Sequence, residues 1–207
     1  MYEIQLFGSF EVRTRGVRLT ARDLGGARPR HVLALLALRG AQSVTELVDV
    51  LWPGRPPADP RIALEQQVSL LRRRLDPEGV GRSVVVTRRG GYDLDTDQVR
   101  TDVARFDELL AAAGWRTPDR ALPPLTAAAH LAGRPLLAGE DGQGWVLRAR
   151  HLYHGRLVES LLSVGERALA EGLPGTAAEL AARALEIAPQ VGTAAHRALA
   201  VGRSDGD

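Results

Sequence analysis

The chain has 207 residues, 44% of them hydrophobic and 25% charged, and a net charge of +2, the composition of a globular protein with enough apolar residue for one large domain or two small ones. It contains no Cys, which excludes a disulfide framework, a thiolate metal site and a Cys nucleophile. No apolar stretch reaches the ~18 residues of a spanning helix, and the start "MYEIQLFGSFEV" lacks the basic and apolar regions of a signal peptide, so a cytoplasmic chain with no membrane partner is expected.

In chain order, "YEIQLFGSFEVRTRGVRL" alternates apolar and polar residues around the turn "RTRG" and predicts small antiparallel strands. "RPRHVLALLALRG" (28–40) predicts an apolar helix with Pro29 near its start and Gly40 past its end. "SVTELVDVLWPG" predicts a second helix, with Ser43 as N-cap, Glu46 three residues on and "WPG" as the stop. After the Pro-rich loop "RPPADPR" a third helix runs from about Arg61 to Leu75, and "SVVVTRRGGYDL" follows as a hairpin signal. Two helices across a long turn, followed by a hairpin, have the spacing of a winged helix-turn-helix, an α+β domain over residues 1–97. From Val103 the chain is rich in Ala and Leu, and helices are expected at about 103–113, 122–132, 143–171, 174–187 and 191–201. The small-residue pair "SLLSVGERALAEGLPGTAAELAARALEIAP" has the form of one tetratricopeptide-like repeat. Residues 98–207 are thus expected to form an all-α, tetratricopeptide-like domain that is either short or a fragment of a longer repeat stack.

Charge is unevenly placed. Residues 61–92 hold 7 Arg against 3 acids, and the chain has no Lys. An Arg-only basic set suits bidentate contacts to phosphates and bases, although a GC-rich coding bias is the simpler source of missing Lys. On the third helix, with Leu64 at zero and about 100° per residue, Val68, Leu71 and Leu75 fall within about 40° of it as a core stripe. Ile62, Gln66, Ser69, Leu70 and Arg73 occupy the opposite face, with Arg72 and Arg74 on the flanks. That is the layout of a recognition helix; taken alone it is also that of a solvated helix with a basic last turn. Arg88 and Arg89 at the hairpin tip, two glycines beside them and Tyr92 near the same edge tip the balance towards DNA. The expected DNA-binding set is Arg61, Gln66, Gln67, Ser69, Leu70, Arg72, Arg73 and Arg74 on the helix, with Arg88, Arg89 and Tyr92 on the hairpin.

"VTELVDVLWPG", "ALEQQVSLLRRRL" and "VVVTRRGGYDL" together resemble the winged-helix DNA-binding domain of OmpR-type regulators, and "TDVARFDELLAAA" resembles the start of the bacterial transcriptional activation domain. In that order they resemble the SARP family (Streptomyces antibiotic regulatory proteins), activators of secondary-metabolite gene clusters. The resemblance is specific over residues 1–113 and rests beyond them on general helical composition. It implies binding to direct repeats in double-stranded promoter DNA as a head-to-tail homodimer, and recruitment of the RNA polymerase holoenzyme through its sigma factor and other subunits. It places Gln66, Gln67, Ser69, Arg72 and Arg73 on the recognition helix and Arg88 at the wing tip. With no receiver domain ahead of the winged helix, Asp phosphorylation is not the expected switch. Two residues depart from the family: Leu70 stands where Arg is usual, and Gln67 where His is frequent. Leu70 cannot make an arginine's bidentate guanine contact and is expected to relax or change base preference, with a thymine methyl as its available partner.

Enzymatic readings are weaker. His31, His130, His151, His154 and His196 form no complete site; "HLYH" puts two of them on one helical face without a third ligand. "RRGGY" lacks the spacing of a phosphate loop, and "GEDGQG" that of an EF-hand. No catalytic residue, metal or cofactor is expected. The competing reading is a helical protein–protein adaptor whose winged helix does not bind DNA productively, motivated by Leu70 on the reading face and by the small net charge.

Overall fold

The computed structural model describes residues 1–77, 79 and 82–189, and their contacts divide them into two units, one over Met1–Val103 and one from Ala104 onward. The first unit is α+β. Strands β1 (Tyr2–Gln5), β2 (Glu11–Thr14) and β3 (Val17–Leu19) form an antiparallel meander. The tight turn between β2 and β3 puts Arg15 at φ 49° and Gly16 at φ 76°, the left-handed pair that two-residue hairpins require. Strand β7 (Val99–Thr101) pairs parallel with β1 and completes the order β3-β2-β1-β7. The first sheet therefore reaches past residue 97, where the sequence suggested the domain ends. Beyond it the Asp102 carboxylate accepts hydrogen bonds from the Leu6 and Phe7 amides at 2.9 and 2.8 Å, and burial nevertheless pushes its pKa up.

Three helices follow the meander: α1 (Ala27–Arg39), α2 (Val44–Leu51) and α3 (Pro60–Leu75). Leu33, Leu36, Leu47, Leu64, Val68 and Leu71 are buried between them. The capping box read at Ser43 is present. Its hydroxyl accepts from the Glu46 amide at 3.2 Å, and the Glu46 carboxylate accepts from the Ser43 amide at 2.8 Å. Ser43 has a second role unseen in the sequence: Gln42–Ser43 is a two-residue strand, β4, which pairs with β6 (Gly91–Leu94). Strand β5 (Val85–Arg88) lies on the other side of β6, so the hairpin is part of a three-stranded sheet ordered β4-β6-β5. Tyr2 ties the two sheets' surroundings together by donating its hydroxyl to the Leu75 carbonyl, 3.0 Å away at the end of α3.

The second unit is helical: α4 (Asp102–Gly114, which opens at the end of the first unit), α5 (Pro118–Ala132), α6 (Gly144–Ala170) and α7 (Pro174–Ile187). Helix α5 begins four residues earlier than the expected 122, because Pro118 starts it and Pro123 and Pro124 lie inside it. Those prolines forgo two backbone bonds without breaking the helix, with Pro123 exposed to water. Helices α6 and α7 pack through small residues, Ala168, Ala177 and Ala181, with Leu162, Leu169, Leu173 and Leu185 around them. This is the helical hairpin expected from the repeat-like segment. The helix expected at 191–201, with His196, lies outside the described residues. Arg150 explains the "GEDGQG" loop as structural: it donates to the Leu136 and Leu137 carbonyls at 2.7 and 2.9 Å and pairs with Asp141 at 2.6 Å. Among the described residues no helix is long and apolar enough to cross a membrane.

Candidate nucleic-acid interface

Helix α3 starts on the Asp59 carboxylate, which accepts from the Ile62 amide at 3.0 Å, and on Pro60 in its first turn. Leu64, Val68, Leu71 and Leu75 are buried along one stripe, as the angular reading requires. The other side carries a straight row of four exposed side chains, Ile62, Gln66, Ser69 and Arg73. Their spacing of four, three and four residues keeps them one above the other over about 16 Å of helix. Arg74 is exposed on one flank, and Gln67 is half-buried. At the amino-terminal end Arg61 is exposed and held by Glu65, with 3.1 Å between Nε and Oε1. Glu65 belongs to this outer surface and was absent from the expected set, since a lone acid does not announce itself on a basic helix.

Three of the expected contact residues have partners within the fold. Leu70 does not belong to the outer row. It is half-buried, and it packs on the loop before α1 so closely that a Cβ on Gly25 would come within 2.7 Å of its Cδ2. The wheel placed Leu70 well away from the core stripe, but that flank of α3 is covered by the Gly25 loop. A leucine there packs on the fold.

Arg72 is likewise engaged inside the fold. Its Nε donates to the Val85 carbonyl at 3.0 Å and its Nη2 to Thr87 Oγ1 at 2.9 Å, while the guanidinium lies 6.0 Å from the Tyr92 ring centroid. One side chain therefore fastens α3 to the first strand of the hairpin. Tyr92 is buried, paired with Gln42 on one side and Thr87 on the other, and burial pushes its phenol pKa up. It is a support for the hairpin and not a phenol on a binding edge.

The glycines also divide their work. Gly90, at φ 81°, forms the turn with Arg89. Gly91 is required for another reason: a Cβ there would fall 2.0 Å from the Gln42 carbonyl oxygen. It admits strand β4, not a nucleic-acid backbone. Arg88 and Arg89 remain exposed at the tip, with Arg88 in a loose ion pair to Asp93 at 3.6 Å. The structure thus gathers Arg61, Gln66, Ser69, Arg73 and Arg74 on the outside of α3, and Arg88 and Arg89 on the hairpin next to it in the same unit.

No family model matches the chain. Two curated relatives do: the regulatory protein DnrI of Streptomyces peucetius, 32% identical over 126 residues, and the regulatory protein AfsR of Streptomyces coelicolor, 36% identical over 92 residues. Both relatives are SARP-family regulators, and this chain is similar to them. Those matches cover 57% and 43% of this chain, but only 45% of DnrI and 9% of AfsR, so the chain spans less than half the length of either relative. A solved structure of Mycobacterium tuberculosis EmbR, in complex with a low-affinity phosphopeptide, shares the fold with a TM-score of 0.62 at 20% identity, covering 100% of this chain and 66% of EmbR. The fold is therefore a winged helix-turn-helix followed by a helical domain. Elsewhere in the chain, His151 and His154 line an open groove of about 720 Å³ with Leu162, Glu166 and Ile187. Among the described residues no three metal-ligating side chains come together.

Proposed function

We propose that this chain is a sequence-specific DNA-binding activator of transcription, acting on a secondary-metabolite gene cluster. The observation that carries the reading is the exposed row on α3 beside an exposed Arg88–Arg89 hairpin tip, on a domain whose relatives are regulatory proteins. Helix α3 enters the major groove with Gln66, Ser69 and Arg73 towards base edges, Arg61 and Arg74 serve phosphates, and the hairpin tip lies on the adjacent backbone or minor groove. The chain binds direct repeats in promoter DNA as a homodimer, and the helical unit makes the contacts to RNA polymerase and its sigma factor.

The adaptor reading draws on Leu70, whose packing on Gly25 gives that residue a place in the fold. Footprinting on the promoter DNA that flanks the protein's own gene tests the proposal. Protection of repeated half-sites at physiological salt is the expected result. No protection at that salt, while a protein partner is retained by residues 104–189, would instead establish the adaptor. In a salt series, replacing both Arg88 and Arg89 with Ala is expected to lower the slope of log K against log salt by about two, near one per lost phosphate contact.

A further inference from the structure

With Leu70 withdrawn into the fold, the outer face of α3 keeps one large apolar side chain, Ile62, which is 52% exposed. Isolated surface hydrophobics are common and call for no role by themselves. Ile62 differs in its position. It lies in the first turn of α3, above Asp59 and Pro60, and heads the row that continues through Gln66, Ser69 and Arg73. It adds nothing to the stripe that buries α3, and as a β-branched residue it is a poorer helix former than the straight-chain residues it displaces. The amino-terminal residues of a recognition helix are those that reach base edges. The surface around it suits a polyanion such as DNA: Arg73 and Arg74 along the helix make the face basic, and Arg61 beside Ile62 neutralises Glu65.

We propose that Ile62 reads a thymine by its C5-methyl group in the major groove, so that the operator half-site carries an obligatory thymine at the position facing the start of α3. The inference rests on the DNA-binding reading above. The methyl is the one apolar feature a base pair shows in that groove, and a branched aliphatic side chain is its natural partner. Gln66 follows four residues later, about 6 Å along the helix axis. Gln pairs bidentately with adenine N6 and N7. The thymine therefore lies within about two base pairs of an adenine read by Gln66, given the 3.4 Å rise per base pair. This gives each half-site an A·T-containing end under the first turns of α3.

Selection from randomised duplexes tests this with the full chain, using one pool built with thymine and one with uracil in its place, which differs only by the methyl. The wild type is expected to enrich thymine at one position of each half-site, and to lose that preference in the uracil pool. On a duplex carrying the selected site, replacing that one thymine with uracil is expected to weaken binding about fourfold, the worth of one buried methyl-sized group. Ile62→Ala should be indifferent to base identity at that position in both pools, while Gln66→Ala loses a different position. Alanine at an exposed helical site keeps the fold. Undiminished thymine preference in Ile62→Ala, or equal enrichment of uracil by the wild type, overturns the role of Ile62 and leaves DNA binding standing. Absence of any enriched sequence with the wild type overturns both.

Discussion

Leu70 and Gly25 decide what the unusual residue of α3 does. At Gly25 the backbone has φ 93°, and the space a Cβ needs is taken by the Leu70 side chain. Gly25→Ala should therefore destabilise the protein by about 1–3 kcal/mol in urea unfolding, from strain at positive φ and from overpacking. Leu70→Ala alone should cost about 1 kcal/mol, less than a fully buried leucine because the site is half-open. Combined, the two should cost less than their sum, since the second removes the atoms the first collides with. Strict additivity would show that the contact is not made. The same geometry leads us to expect that Leu70→Arg leaves the selected DNA sequence unchanged while lowering stability. The sequence placed Leu70 by angle correctly, but a wheel gives direction and not what stands in that direction. The loop that covers it is 45 positions earlier in the chain and contains nothing apolar at Gly25 to give it away.

At the scale of elements, Arg72 makes α3 and the hairpin one body. Its two hydrogen bonds reach both Val85 and Thr87, and lysine cannot reproduce such a forked contact. Arg72→Ala is expected to weaken DNA binding with little change in salt slope, because no phosphate contact is lost. It should also blunt the effect of the Arg88→Ala, Arg89→Ala pair, since a hairpin no longer held beside α3 contributes less. A double-mutant cycle on affinity measures this, and zero coupling energy would show that Arg72 does not set the hairpin's contribution to binding.

The helices and the hairpin were legible because their signals are local: Pro and Gly at the ends, the Ser43–Glu46 box, and alternation around Arg89-Gly90. Strands β4 and β7 were not. Gln42–Ser43 hides beneath a helix-capping signal, and Val99–Thr101 is three residues long with its partner at the other end of the domain. No local pattern encodes a parallel pairing of that reach. The candidate site shared this limit: the row of exposed residues was readable from α3 alone, whereas the roles of Arg72, Tyr92 and Gly91 depend on which strands lie beside them.

Over the whole molecule, several acids lean on folded partners. Glu11 is buried on β2; burial opposes its charge, but hydrogen bonds and ion pairs from Arg13 and Arg18 outweigh that and hold its pKa below the usual glutamate value. Hydrogen bonds from Gln98 lower Asp95, and those from Ser43 lower Glu46. Each depressed pKa contributes stability that is complete above the unfolded value, about 4 for carboxylates, and is lost as pH falls through the folded value. Burial-raised Asp102 runs the other way and offsets a part. The net expectation is a loss of stability between about pH 5 and pH 3. Glu11→Gln should make that loss shallower while lowering stability at neutral pH. Thermal melts at several pH values check it, and an acid limb as steep as the wild type's would show that Glu11 does not titrate with folding. The helical unit depends instead on close small-residue packing, Ala168 against Ala177 and Ala181, where larger side chains have no room.

The three consecutive arginines at the end of α3 face three different demands. Arg72 answers to the hairpin, Arg73 to whatever lies beyond the exposed row, and Arg74 to solvent or a phosphate. In a saturation library selected for promoter activity, position 72 should accept almost nothing else. Position 73 should change only together with the operator, and position 74 should take lysine freely. Divergence of such a regulator towards a new promoter would then run through a single codon of the triplet, with one neighbour fixed by architecture and the other free to drift.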